Sequence, residues 1–129
     1  MLLFPGEELL LRNEPNINLE KTNLRGRSAW FATCNGSCDR NKRPLSCRIF
    51  PLLAYIPKSE RRKSRPRFLI IKDPRAIYTC PLLSGKTYIN ESFFRRVSAA
   101  AAILITNRIS RRFLVLLSEI ADDYLRFTG

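Results

Sequence analysis

The chain has 129 residues, 45% of them hydrophobic, which is enough for one compact domain with its own core and short for two. It contains no histidine, and this excludes Ser-His-Asp and Cys-His catalytic arrangements, imidazole general bases and His-containing zinc sites. Lys and Arg number 23 against 11 Asp and Glu, a formal charge of +12, so nucleic acid or an acidic protein surface enters consideration as a partner.

At the start of the chain, Met1-Leu2-Leu3-Phe4 is apolar but gives way at once to Pro5-Gly6-Glu7-Glu8. It lacks the basic start, long apolar core and small-residue cleavage site of a secretory signal, so the expected compartment is a reducing cytoplasm. A membrane-spanning helix needs about 18–20 apolar residues. The longest candidate, 97–105, is far shorter and runs into Asn107, Arg108, Arg111 and Arg112, so no membrane association is expected.

All 8 prolines lie at or before Pro81, which predicts short strands, turns and loops for the first part of the chain. Within it, 48–56 and 67–72 read as two extended segments joined by a charged tip. A hairpin is the simple solution, with Pro51 marking an edge or a bulge because it cannot donate a ladder hydrogen bond. From Lys86 to Thr128 there is neither proline nor glycine, and this stretch reads as helical. Asn90 or Ser92 can cap a first helix, with Glu91 favourable near its positive end and Phe94, Val97, Ala101, Leu104 and Ile105 forming one apolar stripe. A second helix is expected to begin between Asn107 and Ser110, with a stripe of Phe113, Leu116 or Leu117, Ile120 and Tyr124. The predicted class is α+β: a single domain over 1–129, with a loop and strand region at 1–89 and two helices over 90–127.

The four cysteines are Cys34, Cys38, Cys47 and, well downstream, Cys80. Clustered thiols in a reducing compartment more often hold metal than form disulfides, although two disulfides in any of three connectivities, or four unrelated thiols, are the other readings. Zn²⁺ favours four tetrahedral ligands, and four thiolates can equally hold iron or an iron–sulfur cluster. Cys34 and Cys38 flank Asn35-Gly36-Ser37, which suits a tight knuckle, and Arg40, Arg43 and Arg48 lie close enough in sequence to favour thiolate over thiol. A hairpin over 48–72 would carry Cys47 at its entrance and return Cys80 beyond its exit. Trp30-Phe31 reads as an apolar shield ahead of Cys34.

The run Cys34-Asn-Gly-Ser-Cys38-Asp-Arg-Asn-Lys-Arg-Pro44-Leu-Ser-Cys47-Arg-Ile-Phe-Pro51-Leu, followed by Asp73-Pro-Arg-Ala76 and Cys80-Pro-Leu, resembles the bacterial YkgJ-like family of zinc- or iron-chelating cysteine-cluster domains. The likeness centres on Arg43-Pro44-x-x-Cys47-Arg48-x-Phe50-Pro51. It implies Cys34, Cys38, Cys47 and Cys80 as ligands of a zinc or iron centre with a structural or metal-handling role. Members of that family often carry a further cysteine cluster near the N-terminus, and here no cysteine precedes Cys34.

Lys58, Arg61, Arg62, Lys63, Arg65 and Arg67 make the tip of the expected hairpin strongly positive. Two readings apply: a solvated loop whose charges keep a sheet edge soluble, or a nucleic-acid surface on a metal-stabilised scaffold. Tyr55 and Phe68 beside it could stack on bases or fill the core. Asp73 reads as a turn cap that could also orient Arg48 or Arg75. The pairs Glu7-Glu8 and Asp122-Asp123 are adjacent residues whose side chains diverge, so neither reads as an acid/base dyad.

Overall fold

The computed structural model describes residues 1–34, 40–76 and 90–128. The chain divides into two compact units, Met1–Ile49 and Phe50–Gly129. Among the described residues are two antiparallel β-hairpins and two long C-terminal helices, an α+β composition.

In the first unit, Gly6 takes a left-handed φ of 96° to start the short helix α1 (Glu7–Leu11). Strands β1 (Ile17–Leu24) and β2 (Arg27–Cys34) then pair in antiparallel register from Ile17↔Cys34 to Leu24↔Arg27. The two-residue turn between them has positive φ at both positions, 50° at Arg25 and 84° at Gly26. That is the backbone twist a tight hairpin needs, and the Asn23 side chain secures it by accepting a hydrogen bond from the Gly26 N–H at 2.8 Å. The start of the chain lies along the free edge of β2: Leu2 bridges Phe31, Leu3 N–H donates to the Trp30 carbonyl, and Ala32 N–H donates to the Met1 carbonyl. Leu3, Leu11 and Ala32 form the buried core, with Ile17, Leu19 and Trp30 packed against it. Because strand side chains alternate, Phe31 faces the other way and is 39% exposed, so Trp30-Phe31 is not the joint shield the sequence suggested.

A 3₁₀ turn at Arg40–Lys42 leads to the short helix α2 (Leu45–Ile49). Arg48 and Ile49 therefore end a helix, whereas the sequence placed them at the start of an extended segment. The cause is local: the Pro44 carbonyl accepts from both Cys47 and Arg48 N–H, and Glu7 satisfies the Leu45 N–H.

The second unit is organised around β3 (Leu52–Tyr55), which pairs antiparallel with β4 (Leu69–Lys72) in the register Leu52↔Lys72 to Tyr55↔Leu69. Pro51 stands just ahead of β3, where its missing N–H costs nothing, and its carbonyl accepts from Asp73 N–H at 2.8 Å. Helices α3 (Glu91–Leu104) and α4 (Arg108–Thr128) both pack on β3, so Leu52, Leu53 and Ala54 are buried in succession where alternation would have left one outside.

Both helix starts are those the sequence predicts. The Asn90 side chain accepts from Ser92 N–H, and the Asn107 side chain accepts from Ile109 and Ser110 N–H. Most of the expected stripes are buried, Val97 and Ala101 in α3 and Phe113, Leu116 and Leu117 in α4, and the departures are Phe94 and Tyr124. In α3, Phe94 is 42% exposed while Phe93 is half-buried, and the inward line runs Phe93, Val97, Ala101. In α4, Tyr124 is 46% exposed, and the most deeply buried line runs through Leu114, Ser118 and Ala121, flanked by the expected Phe113, Leu116 and Leu117. Ser118 sets that rotation. Its hydroxyl donates to the Leu114 carbonyl at 2.7 Å and accepts from Ile56 N–H at 2.9 Å, closing α4 onto the end of β3.

Replacing Ser118 by Ala leaves the buried Ile56 N–H without an acceptor. The expected loss is about 1–3 kcal/mol, measured as the shift of urea unfolding followed by helical circular dichroism.

Candidate functional site

Of the four expected thiolate ligands, Cys34 and Cys47 are among the described residues, and Cys38 and Cys80 lie outside them. The span across the hairpin to Cys80 likewise falls outside them. Among the described residues, no group of three or more Cys, Asp or Glu is arranged to hold a metal.

Cys34 ends β2 directly opposite Ile17, on the sheet face that also carries Ala32, and it is exposed at the margin of that face. Cys47 is partly buried in α2. Both belong to the first unit, and a near neighbour of each is hydrogen-bonded to one of the first two residues of the chain. Ala32, two positions before Cys34, donates its N–H to the Met1 carbonyl, and Ser46, immediately before Cys47, donates its hydroxyl to the Leu2 carbonyl.

Glu7 adds a second tie. One carboxylate oxygen accepts from Phe4 N–H at 2.8 Å and the other from Leu45 N–H at 2.7 Å, so a single side chain links the entry of α1 to the first residue of α2. Glu8 instead accepts from Gly6 N–H, and the adjacent pair forms no dyad. The arginines expected to favour thiolate behave differently from one another. Arg48 donates to the carbonyls of Arg43 and Asn41 at 2.9 and 2.8 Å and so braces the 3₁₀ turn, while Arg43 is exposed. A shallow cavity of about 220 Å³ lies between α1 and this turn, lined by Glu7, Leu10, Lys42, Arg43 and Arg48 among others. Lys42 pairs with Glu14 at 3.1 Å, so among the described residues most of the charge around the cavity is already engaged.

The basic tip in the second unit is an ordered turn. After a 3₁₀ turn at Lys58–Glu60, Glu60 is buried; it accepts from Arg67 N–H at 2.9 Å and pairs with Lys63. Arg61 turns inward. Its guanidinium donates to the Ile56 carbonyl at 2.9 Å and to Asp122 at 2.8 Å, and it lies over the Tyr55 ring at 5.6 Å. The Tyr55 hydroxyl donates to the other Asp122 oxygen at 2.6 Å. Tyr55 is thereby committed to the protein interior and offers no stacking platform. Lys58, Arg62, Lys63, Arg65 and Arg67 remain exposed.

Sequence reasoning missed the Tyr55–Arg61–Asp122 cluster and Ser118. The available signal was spacing: Asp122 lies four residues after Ser118, on the flank of the α4 face that meets β3. Asp73 is buried and does both things expected of it with Arg75, accepting from its N–H at 2.9 Å and forming a two-pronged pair with its guanidinium; Arg48 is engaged elsewhere.

Burial acts to raise the Asp122 pKa, but the hydrogen bonds from Tyr55 and Arg61 and the charges of Arg61 and Lys58 outweigh it and hold the carboxyl below its ordinary value. The hydrogen bond from Lys63 and that from the Arg67 backbone lower Glu60 in the same direction. The hydrogen bond to Asp122, then burial, raises Tyr55. A carboxyl depressed in the folded state stabilises the fold fully above its unfolded pKa, and that stability is lost as pH falls through the folded value. Unfolding experiments across pH should therefore show stability declining below about pH 4. Asp122→Asn should be less stable than the parent at neutral pH and show a shallower acid decline, with Glu60 supplying the remainder.

No helix among the described residues is long and apolar enough to cross a membrane. No family model, curated protein or solved structure matches the chain, and the residues themselves carry the functional argument.

Proposed function

We propose that the chain holds a metal ion through cysteine thiolates, zinc in the first instance and iron or an iron–sulfur cluster as the alternative occupant. Cys34, Cys38 and Cys47 supply the local ligands, and Cys80 is the fourth ligand expected from the sequence. The observation that supports this reading most is the shared anchorage of Cys34 and Cys47 within one unit. The Ala32 N–H, two positions before Cys34, donates to the Met1 carbonyl, and the Ser46 side-chain hydroxyl, immediately before Cys47, donates to the Leu2 carbonyl, so the chain near each cysteine is tied to one of two consecutive residues.

The donor set fits a soft or borderline cation, because sulfur is the only ligand type that the cluster offers and histidine is absent. Four protein thiolates close a coordination sphere and leave no position for a reacting water, which favours structure or metal handling over hydrolysis. Ligation requires the thiols to give up their protons, so retention should weaken in acid. With about −2 contributed by a zinc tetrathiolate, the chain remains strongly basic.

Elemental analysis with an absorbance spectrum of anaerobically purified protein tests the proposal. Zinc without colour, or iron with absorbance between about 320 and 420 nm, is expected, and Cys34→Ser, Cys38→Ser and Cys47→Ser should each lower metal content. Four reactive thiols and no bound metal would refute it. If Cys80→Ser retains metal while the other three lose it, the fourth ligand is not Cys80.

A further inference from the structure

The second unit carries a charged element that a metal site does not explain. In the segment 58–67, ten consecutive residues include six cations and one carboxylate, and the fold sorts them. Glu60 and Arg61 turn inward: Glu60 is 7% exposed, and the Arg61 side chain is 12% exposed against Asp122. Lys58, Arg62, Lys63, Arg65 and Arg67 stay outside. Lys63 pairs with Glu60; among the described residues Lys58, Arg62, Arg65 and Arg67 form no ion pair within 4.0 Å, and the charges of Lys58 and Arg67 act at longer range on Asp122 and Glu60.

This arrangement differs from a solvated basic loop. Lys63 N–H donates to the Glu60 carbonyl at 3.1 Å, Arg67 N–H donates to the Glu60 carboxylate, and Arg61 fastens the turn to α4. The turn that carries the four exposed cations is thus fastened through Glu60 and Arg61, two inward charges of opposite sign. Like charges held together repel, and an unfastened loop would let them spread.

We infer that this turn is a binding surface for the phosphate backbone of a nucleic acid, with Lys58, Arg62, Arg65 and Arg67 contacting phosphates and Arg61 acting as the positioning residue that presents them. Charge complementarity names the partner. The only residue of 58–67 with no polar side chain is Pro66, which is buried. The turn therefore has no apolar anchor for a protein interface and nothing to insert into a bilayer. Tyr55 is turned inward, Phe68 just beyond the turn is half-buried, and 58–67 contains no aromatic residue, so the contacts the turn itself offers are to phosphates and carry no sequence preference.

Fluorescence anisotropy of the full chain against short labelled single-stranded RNA and duplex DNA of mixed sequence tests this. Four phosphate contacts predict that affinity falls about 10²-fold between 50 and 200 mM salt, and Arg62→Ala with Arg65→Ala should lower the slope of log affinity against log salt by about two. Both side chains are exposed, and an unchanged helical circular dichroism signal confirms that the double variant is folded. Arg12→Gln with Arg27→Gln removes the same charge from exposed positions in the first unit and should leave binding unaltered. No binding at 50 mM salt would overturn the inference. So would equal losses in the two double variants, which would mark diffuse attraction to a basic protein, or tighter turn-dependent binding to anionic phospholipid vesicles than to either nucleic acid.

Discussion

Backbone donors at the ends of short elements must find acceptors, and in both units of this protein a side chain from a distant part of the chain supplies them. Glu7 meets the N–H groups of Phe4 and Leu45 with its two oxygens. Ser118 meets the N–H of Ile56, just past the last residue of β3. Small units with two-stranded sheets have few ladder bonds to rely on, so these contacts fix where helices stand against strands. The rotation of α4 follows from Ser118, and the direction in which the hairpin loop leaves β3 follows from its neighbour Asp122. In the first unit, the placement of α2, and hence of Cys47, follows from Glu7 and Ser46.

The same economy governs charge. Asp122 serves Tyr55 and Arg61 together, and its position near the interior lets each of the three groups compensate the others' desolvation. Asp73 does likewise for Arg75. These clusters are structural in their contacts: each side chain is occupied by protein partners, and the chemistry left over belongs to exposed cations and to thiols.

Features governed by nearest neighbours were legible in the sequence. The caps at Asn90 and Asn107 act within three residues, and both were visible as breaks in an apolar pattern. The helical faces were legible in their middles, where Val97, Ala101, Phe113, Leu116 and Leu117 are buried as expected, and harder at their ends, where Phe94 and Tyr124 fit the spacing but are exposed. The hairpin of β1 and β2 escaped notice because Glu20 and Lys21 interrupt its alternation and its turn uses Arg25-Gly26 in place of the usual Asn-Gly. Arg61 could not be told from the five cations around it, since its partner Asp122 lies far along the chain. The hairpin 52–72 was legible from its paired apolar runs, but its entrance was not, because a capped turn of helix looks extended when only hydrophobicity is read. At the cysteines, the sequence offers four candidate ligands, and the described structure gives the surroundings of Cys34 and Cys47.

The location of Trp30 gives the molecule an optical asymmetry. It is the chain's single tryptophan and it packs against the core of the first unit, whereas α3 and α4, which supply most of the helical signal, belong to the second. Indole emission and far-ultraviolet dichroism therefore watch different parts of the protein. Coincident transitions from the two would mean that the units melt as one cooperative body, and separated transitions would resolve the stability of each without cutting the chain.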